Sequence, residues 1–255
     1  MPGSHDAGTW NSIGWLDRAC ADSGILVDLG NIAAFGSPAW NTIAKWAYAQ
    51  YDEPYYQARG GARYFDLRAI RDKSPGDDGY FLRTCHSTIG AGLGSFFNPN
   101  NPGSLAAYAA EHPQEVLVVD WQKVIDEQAG TPLSADGLKQ FREYITTKVC
   151  PNRALTNDDV YSGKVDPGLT READIPRLSI SAIAKTGHNI INLMDSRADR
   201  ALYQSLDKSK KSSWCIWDRG VTLASYWDTN ADATPWKNGF AYGRARVALF
   251  ADEAA

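Results

Sequence analysis

The chain has 255 residues, of which 44% are hydrophobic and 22% charged, and its formal net charge is −4. That length suits a single closed α/β barrel, and the apolar fraction supplies a sizeable core and excludes wholesale disorder. The acidic balance argues against nucleic acid, which demands a basic face, and against holding an anionic membrane by bulk charge. In chain order, the first feature is the turn Pro2-Gly3-Ser4-His5-Asp6-Ala7-Gly8-Thr9, with no strand before it. A helix-like stretch follows over Trp40–Tyr51, where Ile43, Trp46 and Ala47 fall at i, i+3 and i+4. This stripe either packs on a barrel or sets Trp46 in a lipid headgroup layer, which suits an indole.

The clearest strands are near-continuous apolar runs bounded by turn residues, as expected of strands buried on both faces. They cover Ala62–Arg68, Glu115–Trp121, Asn189–Met194 and Trp214–Trp217, with Val221–Trp227 as a fifth. Between them lie helical patterns. Ser104–His112 leads through Pro113 into the second strand, Ser134–Val149 has Ser134 as N-cap and Gly137 as a weak point, and Ile180–Ala184 is ended by Gly187. Strand, helix and strand in succession imply parallel pairing with right-handed crossovers, and repetition over this length predicts a barrel. Val247, Phe250, Ala251 and Ala254 follow helical spacing, so the expectation is one domain over 1–255 with incomplete first and last strands; a strand over Arg246–Ala251 is the alternative.

No apolar run approaches the ~20 residues that span a bilayer, and no signal peptide is visible at the start. Cys20, Cys85, Cys150 and Cys215 are widely spaced without a CxxC pair, so a zinc site is not expected. Two disulfides in an exported protein and buried free thiols both remain open. His112 and His188 sit at element boundaries and read as solvated residues.

Four segments carry chemistry: Pro2–Thr9, Gly61–Arg68, Thr84-Cys85-His86-Ser87 and Val118–Lys123. Each polar cluster lies at a strand end or just beyond it, and in a parallel barrel those ends converge on the face where substrates bind. Two His, one Arg and adjacent carboxylates suffice for phosphodiester cleavage. One imidazole takes a proton from the attacking hydroxyl, the other protonates the leaving oxygen, and the guanidinium holds the phosphate by paired hydrogen bonds.

In order and spacing these segments resemble the catalytic X-domain of the phosphatidylinositol-specific phospholipase C family in its bacterial form. The resemblance rests on Pro2–Thr9, Gly61–Arg68, the His86 that follows, and the strand Glu115–Lys123. It implies an irregular TIM-type (β/α) barrel and an enzyme that cleaves phosphatidylinositol, or glycosyl-phosphatidylinositol, to diacylglycerol and an inositol phosphate. It implies that His5 is the general base on the inositol 2-hydroxyl, that Arg68 binds phosphate, and that His86, oriented by Asp6, is the general acid. Asp66, Lys123 and Asp218 are the implied substrate contacts, with Gln122 the alternative to Lys123 by a one-residue shift. The second inositol-contacting Arg has no clear match, Arg197 being a guess; Gly220 stands where an aromatic is expected; and Asp252 is the partner of His5 only if the tail is a strand. No cofactor is implied, since Arg68 stands where calcium-using relatives place a ligand. The expected protein is a secreted monomer that meets a phospholipid surface. The competing readings are a metal-dependent glycerophosphodiesterase or sphingomyelinase D-like barrel, and a catalytically inactive lipid- or sugar-binding module.

Overall fold

The structure, a computed structural model, describes residues 3–4, 7–9, 50, 52–73, 75–76, 78–86, 88–126, 133–162, 178–194 and 213–219. His5, Asp6, Trp46, Arg197, Gly220, Asp252 and the expected strand over Val221–Trp227 lie outside the described residues.

Seven strands form one mixed sheet: β1 (Gly3–Ser4), β2 (Tyr64–Arg71), β3 (Leu82–His86), β4 (Thr88–Gly92), β5 (Leu117–Ile125), β6 (Ile190–Met194) and β7 (Ile216–Asp218). Their order is β4-β3-β2-β5-β6-β7, and β1 lies parallel beside the start of β2. Pairing is parallel from β2 through β5 and β6 to β7, whereas β3 and β4 fold back antiparallel. The four expected strands are present as β2, β5, β6 and β7. Three points differ from expectation. Gly3 and Ser4 are themselves a strand. The hairpin β3–β4 was not anticipated. Among the described residues the sheet does not close into a barrel. The loop of residues 72–81 is shorter than the dozen or so residues a parallel crossover needs, so the chain after β2 returns antiparallel. A buried ion pair, Arg83 Nε to Asp72 Oδ2 at 3.8 Å, fastens that return.

Six helices are described: α1 (Pro54–Arg59), α2 (Gly94–Phe97), α3 (Leu105–Glu111), α4 (Ala135–Tyr144), α5 (Asn157–Tyr161) and α6 (Ile180–Lys185). Ser104, Ser134 and Ser179 cap α3, α4 and α6, each hydroxyl accepting from a backbone N–H three residues on. The helix expected to reach Val149 stops at Tyr144 and continues as a π-turn over Ile145–Val149. Gly137 is a close-contact position in α4, since a Cβ there would sit 3.2 Å from both Arg71 Cδ and Leu133 Cδ2.

The two sheet faces have different contents. Phe65, Leu67, Ala69, Leu117, Val119 and Trp121 pack against α2, α3 and α4 in the main core. There Phe97 stacks flat on Trp121 at 5.4 Å and Phe141 meets the same indole edge-on. The opposite face carries a second apolar cluster of Val118, Ile191, Leu193 and Trp217 with Leu155, Val160 and Ile183. Beyond that cluster this face turns polar at Asp66, Arg68, Asp120 and Lys123, and at the carboxyl ends of β2 and β5 it closes with a third apolar cluster of Ile70, Ile125, Cys85 and Ile89.

The cysteine question is settled for the described residues. Cys150, just past the π-turn, is bonded to Cys215 at the start of β7, and Cys85 is also disulfide-bonded. The histidines outside the motifs are partly exposed at element boundaries, and each also has a protein partner. His112 stacks on Tyr108 at 4.2 Å, and His188 Nδ1 lies 2.7 Å from Asp159 Oδ2. Asp159 also closes a capping box with Thr156. Burial alone would raise the Asp159 carboxyl, but the hydrogen bonds from His188 and Thr156 outweigh it and hold the group below the usual carboxylate range.

Two measurements test these ties. The Cys150–Cys215 bond spans 65 residues, so Cys150→Ser with Cys215→Ser should cost about 4 kcal/mol of unfolding free energy in urea. Because the folded pKa of Asp159 is depressed, its stabilisation is present above the unfolded value near 4 and is lost as pH falls through the lower folded value. Asp159→Asn should therefore cost about 1.5–3 kcal/mol at neutral pH, and the gap from the parent should narrow in acid melts below about pH 4.

Candidate active site

The polar half of the second face begins on β2. Alternation sends Phe65, Leu67 and Ala69 into the main core, so Tyr64, Asp66 and Arg68 share the other side. Asp66 is buried and Arg68 partly exposed, with the guanidinium NH2 3.9 Å from Asp66 Oδ2. On the neighbouring strand Asp120 stands directly opposite Asp66. Two residues directly opposite on adjacent strands share a face.

A β-bulge then changes the parity of β5. Trp121 is in the main core and so is Val124, leaving two residues between them instead of one. The register shifts at this point, between Leu67 and Arg68, and Lys123 becomes the partner of Arg68. Lys123, not Gln122, is thus the residue across from Arg68. Gln122 joins a different group, donating to Asp120 Oδ2 at 2.7 Å and accepting from Arg219.

Arg219 was not assigned from the sequence. It follows β7 directly and is buried, and its NH1 lies 3.1 Å from Asp120 Oδ2 and 3.4 Å from Oδ1. Tyr64 also donates its hydroxyl to Asp120. The signal available in the sequence was Asp120 itself, a carboxylate inside an otherwise apolar strand, since a fully buried charge needs an opposite one. Asp218 is buried, is in register with Met194, and by alternation falls on the side of Ile216 in the main core. The structure brings Asp66, Arg68 and Lys123 onto one face and leaves Asp218 off it.

His86 is the last residue of β3, partly buried at the tip of the β3–β4 hairpin and in register with Thr88. Two residues before it, Thr84 donates its hydroxyl to the carbonyl of Gly8 at 2.8 Å. Thr84 is pressed between two glycines. A Cβ on Gly8 would lie 2.4 Å from Thr84 Cγ2, and one on Gly90 would lie 2.3 Å from Thr84 Oγ1. On the other flank of the first motif, Gly3 and Ser4 pair with Tyr64 and Phe65 at the start of β2. The Ser4 hydroxyl donates to Gln57 Oε1 at 2.5 Å, and Gln57 Nε2 donates to the carbonyl of Ala7 at 2.9 Å. The described residues on both sides of positions 5 and 6 are therefore tied to β2, α1 and β3.

No protein-family model and no curated protein matches the chain. Among solved structures it is similar to variants of the phosphatidylinositol-specific phospholipase C of Staphylococcus aureus. An F249X variant matches at 16% identity and a TM-score of 0.40, covering 76% of this chain and 48% of that one. An H258Y variant matches at 20% identity and a TM-score of 0.32, covering 56% and 35%. A structure described as addressing modulation of that enzyme's membrane binding matches at 17% identity and a TM-score of 0.36, covering 62% and 40%. The chain thus spans less than half the length of these three proteins, and a likeness at this level decides neither fold nor function.

The glycine–threonine contact has a direct test. Gly8→Ala should overpack this junction and cost about 1–3 kcal/mol in thermal unfolding. An unchanged midpoint would mean that the first motif does not rest on Thr84.

Proposed function

We propose that the chain carries a phosphodiesterase site that cleaves phosphatidylinositol, or its glycosylated form, by acid–base catalysis without a metal. The observation that carries this reading is the tethering of the first motif. The residues before His5 are paired with the strand that bears Asp66 and Arg68, and those after it are bonded to the strand that ends in His86. Sequence segments far apart in the chain are thereby drawn to two neighbouring strands, β2 with its Arg68 guanidinium and β3 with its terminal His86.

In the proposed reaction His5 removes the proton of the inositol 2-hydroxyl. That oxygen attacks phosphorus, the bond to the diacylglycerol oxygen breaks, and His86, oriented by Asp6, delivers a proton to the departing oxygen. Arg68 and Lys123 hold the phosphate oxygens from adjacent strands, Arg68 by its planar fork and Lys123 as a point charge. Asp66, buried beside Arg68, keeps the guanidinium in place.

One observation bears on the metal-dependent alternative. Asp66 and Asp120 face each other, which is how carboxylates would approach a divalent ion. Asp120, however, already receives Arg219 and the Tyr64 hydroxyl, and a guanidinium at 3.1 Å occupies the direction a cation would take. The disulfides support a protein that matures in an oxidising compartment. Export, a membrane-surface substrate and a monomeric state are part of this proposal.

Cleavage of phosphatidylinositol vesicles tests the reading. His5→Ala and His86→Ala should each lower turnover by roughly 10²–10⁴-fold with little change in stability. Arg68→Lys keeps the charge but not the fork and should remain badly impaired, and activity should survive a calcium chelator. Full activity in either His variant would remove that residue from the mechanism. Loss in chelator that calcium restores would favour the metal-dependent barrel. Vesicle binding without any turnover would favour an inactive binding module.

A further inference from the structure

The charges on the polar face lie in two tiers. Asp66 and Asp120, opposite each other, form the inner tier and are buried. Arg68 and Lys123, also opposite each other, lie further along the same strands and are partly exposed. Like charges directly opposite are unfavourable in a sheet, and two buried carboxylates cannot both stay ionised without nearby cations. Arg219 reaches the inner tier from the end of β7 and meets Asp120 from within. Arg219 thus brings a further cation to this group, on the side of Asp120.

We propose that Arg219 is a positioning residue that sets the anion affinity of the Arg68–Lys123 tier by neutralising Asp120 beneath it. The inference rests on the proposed reading of that tier as the phosphate site. Its ligand class is a phosphate monoester or diester. The coupling is electrostatic and does not require Arg219 to touch the ligand. Successive same-face positions on a strand are only about 7 Å apart, and between partly buried charges at that range an added charge changes affinity by about tenfold or more.

A purely structural ion pair predicts something else, and a variant series separates the two. The probe is inorganic phosphate, titrated by calorimetry, with thermal unfolding measured on each protein. Arg219→Gln removes one positive charge and should weaken phosphate binding about tenfold or more. Asp120→Asn removes one negative charge and should tighten binding by a similar factor, although this protein too loses stability because it leaves Arg219 without its carboxylate. The double variant Asp120→Asn with Arg219→Gln restores the net charge of the parent and should bind within about threefold of it. It also replaces the buried charge pair by two neutral amides, so it stays informative if either single variant fails to fold. If Arg219 is merely structural, all variants weaken binding together in the order of their lost stability, and the proposal is overturned. It is overturned as well if the parent protein does not bind phosphate. A parent that binds phosphate with the expected variant order but cleaves no phosphatidylinositol refutes the proposed catalytic activity and supports this inference.

Discussion

The placement of charge in this protein depends on one extra residue in β5. A strand alternates its side chains strictly between faces, so without the bulge Lys123 would follow Trp121 into the main core. An ammonium there would be desolvated among aromatic rings at a cost of several kcal/mol. The added residue reverses the parity at the point where β2 and β5 leave the apolar cluster. Trp121 and Val124 both stay in the core, and Lys123 comes round to face Arg68. The same irregularity gives Gln122 room to bond sideways to Asp120 and Arg219. Bulges recur beside functional sites because they re-aim a side chain without dismantling the sheet.

Burying Asp120 and Arg219 carries a desolvation penalty that their attraction offsets only with good geometry and further hydrogen bonds. Asp120 has those bonds, from Tyr64 on one neighbouring strand and from Gln122 on its own. Such a network is weak evidence for stability but strong evidence for a fixed arrangement. Each member has a partner on a different strand, so a slip in register would leave a charge uncompensated. The short strand β7 is held at both ends, by the Cys150–Cys215 bond at its start and by Arg219 at its finish. Three residues of pairing alone would not place a side chain reliably, because isolated short strands are marginal in water.

The described residues of the first motif are held by a different means. Its flanks are held by a two-residue strand, by Gln57, and by the wedge of Thr84 between Gly8 and Gly90. The glycines there are a packing requirement, since any Cβ would overlap the threonine. A motif of alternating glycines and small polar residues therefore encodes a close approach between segments separated by 76 positions.

The sequence by itself determined the elements whose signals are local. The apolar runs of β2, β5, β6 and β7 and the Ser134 cap of α4 follow from periodicity and short-range hydrogen bonding. The order of the motifs was likewise visible, and with it the chemistry they suggest. Only the tertiary structure decided the rest, because it depends on contacts between residues distant in the chain. The hairpin β3–β4 lacks an apolar alternation of its own, since Arg83, Thr84, Gly90 and Gly92 are specified by what they pack against. That Lys123 rather than Gln122 lies across from Arg68 turns on a bulge, which is a property of two strands together. The pairing of Asp120 with Arg219 spans 99 positions, and nothing in either neighbourhood names the other. Asp218 and Arg219 are adjacent in sequence, yet alternation across β7 sets them on opposite faces, and only the register of that strand with β6 shows which of the two faces the charged tier.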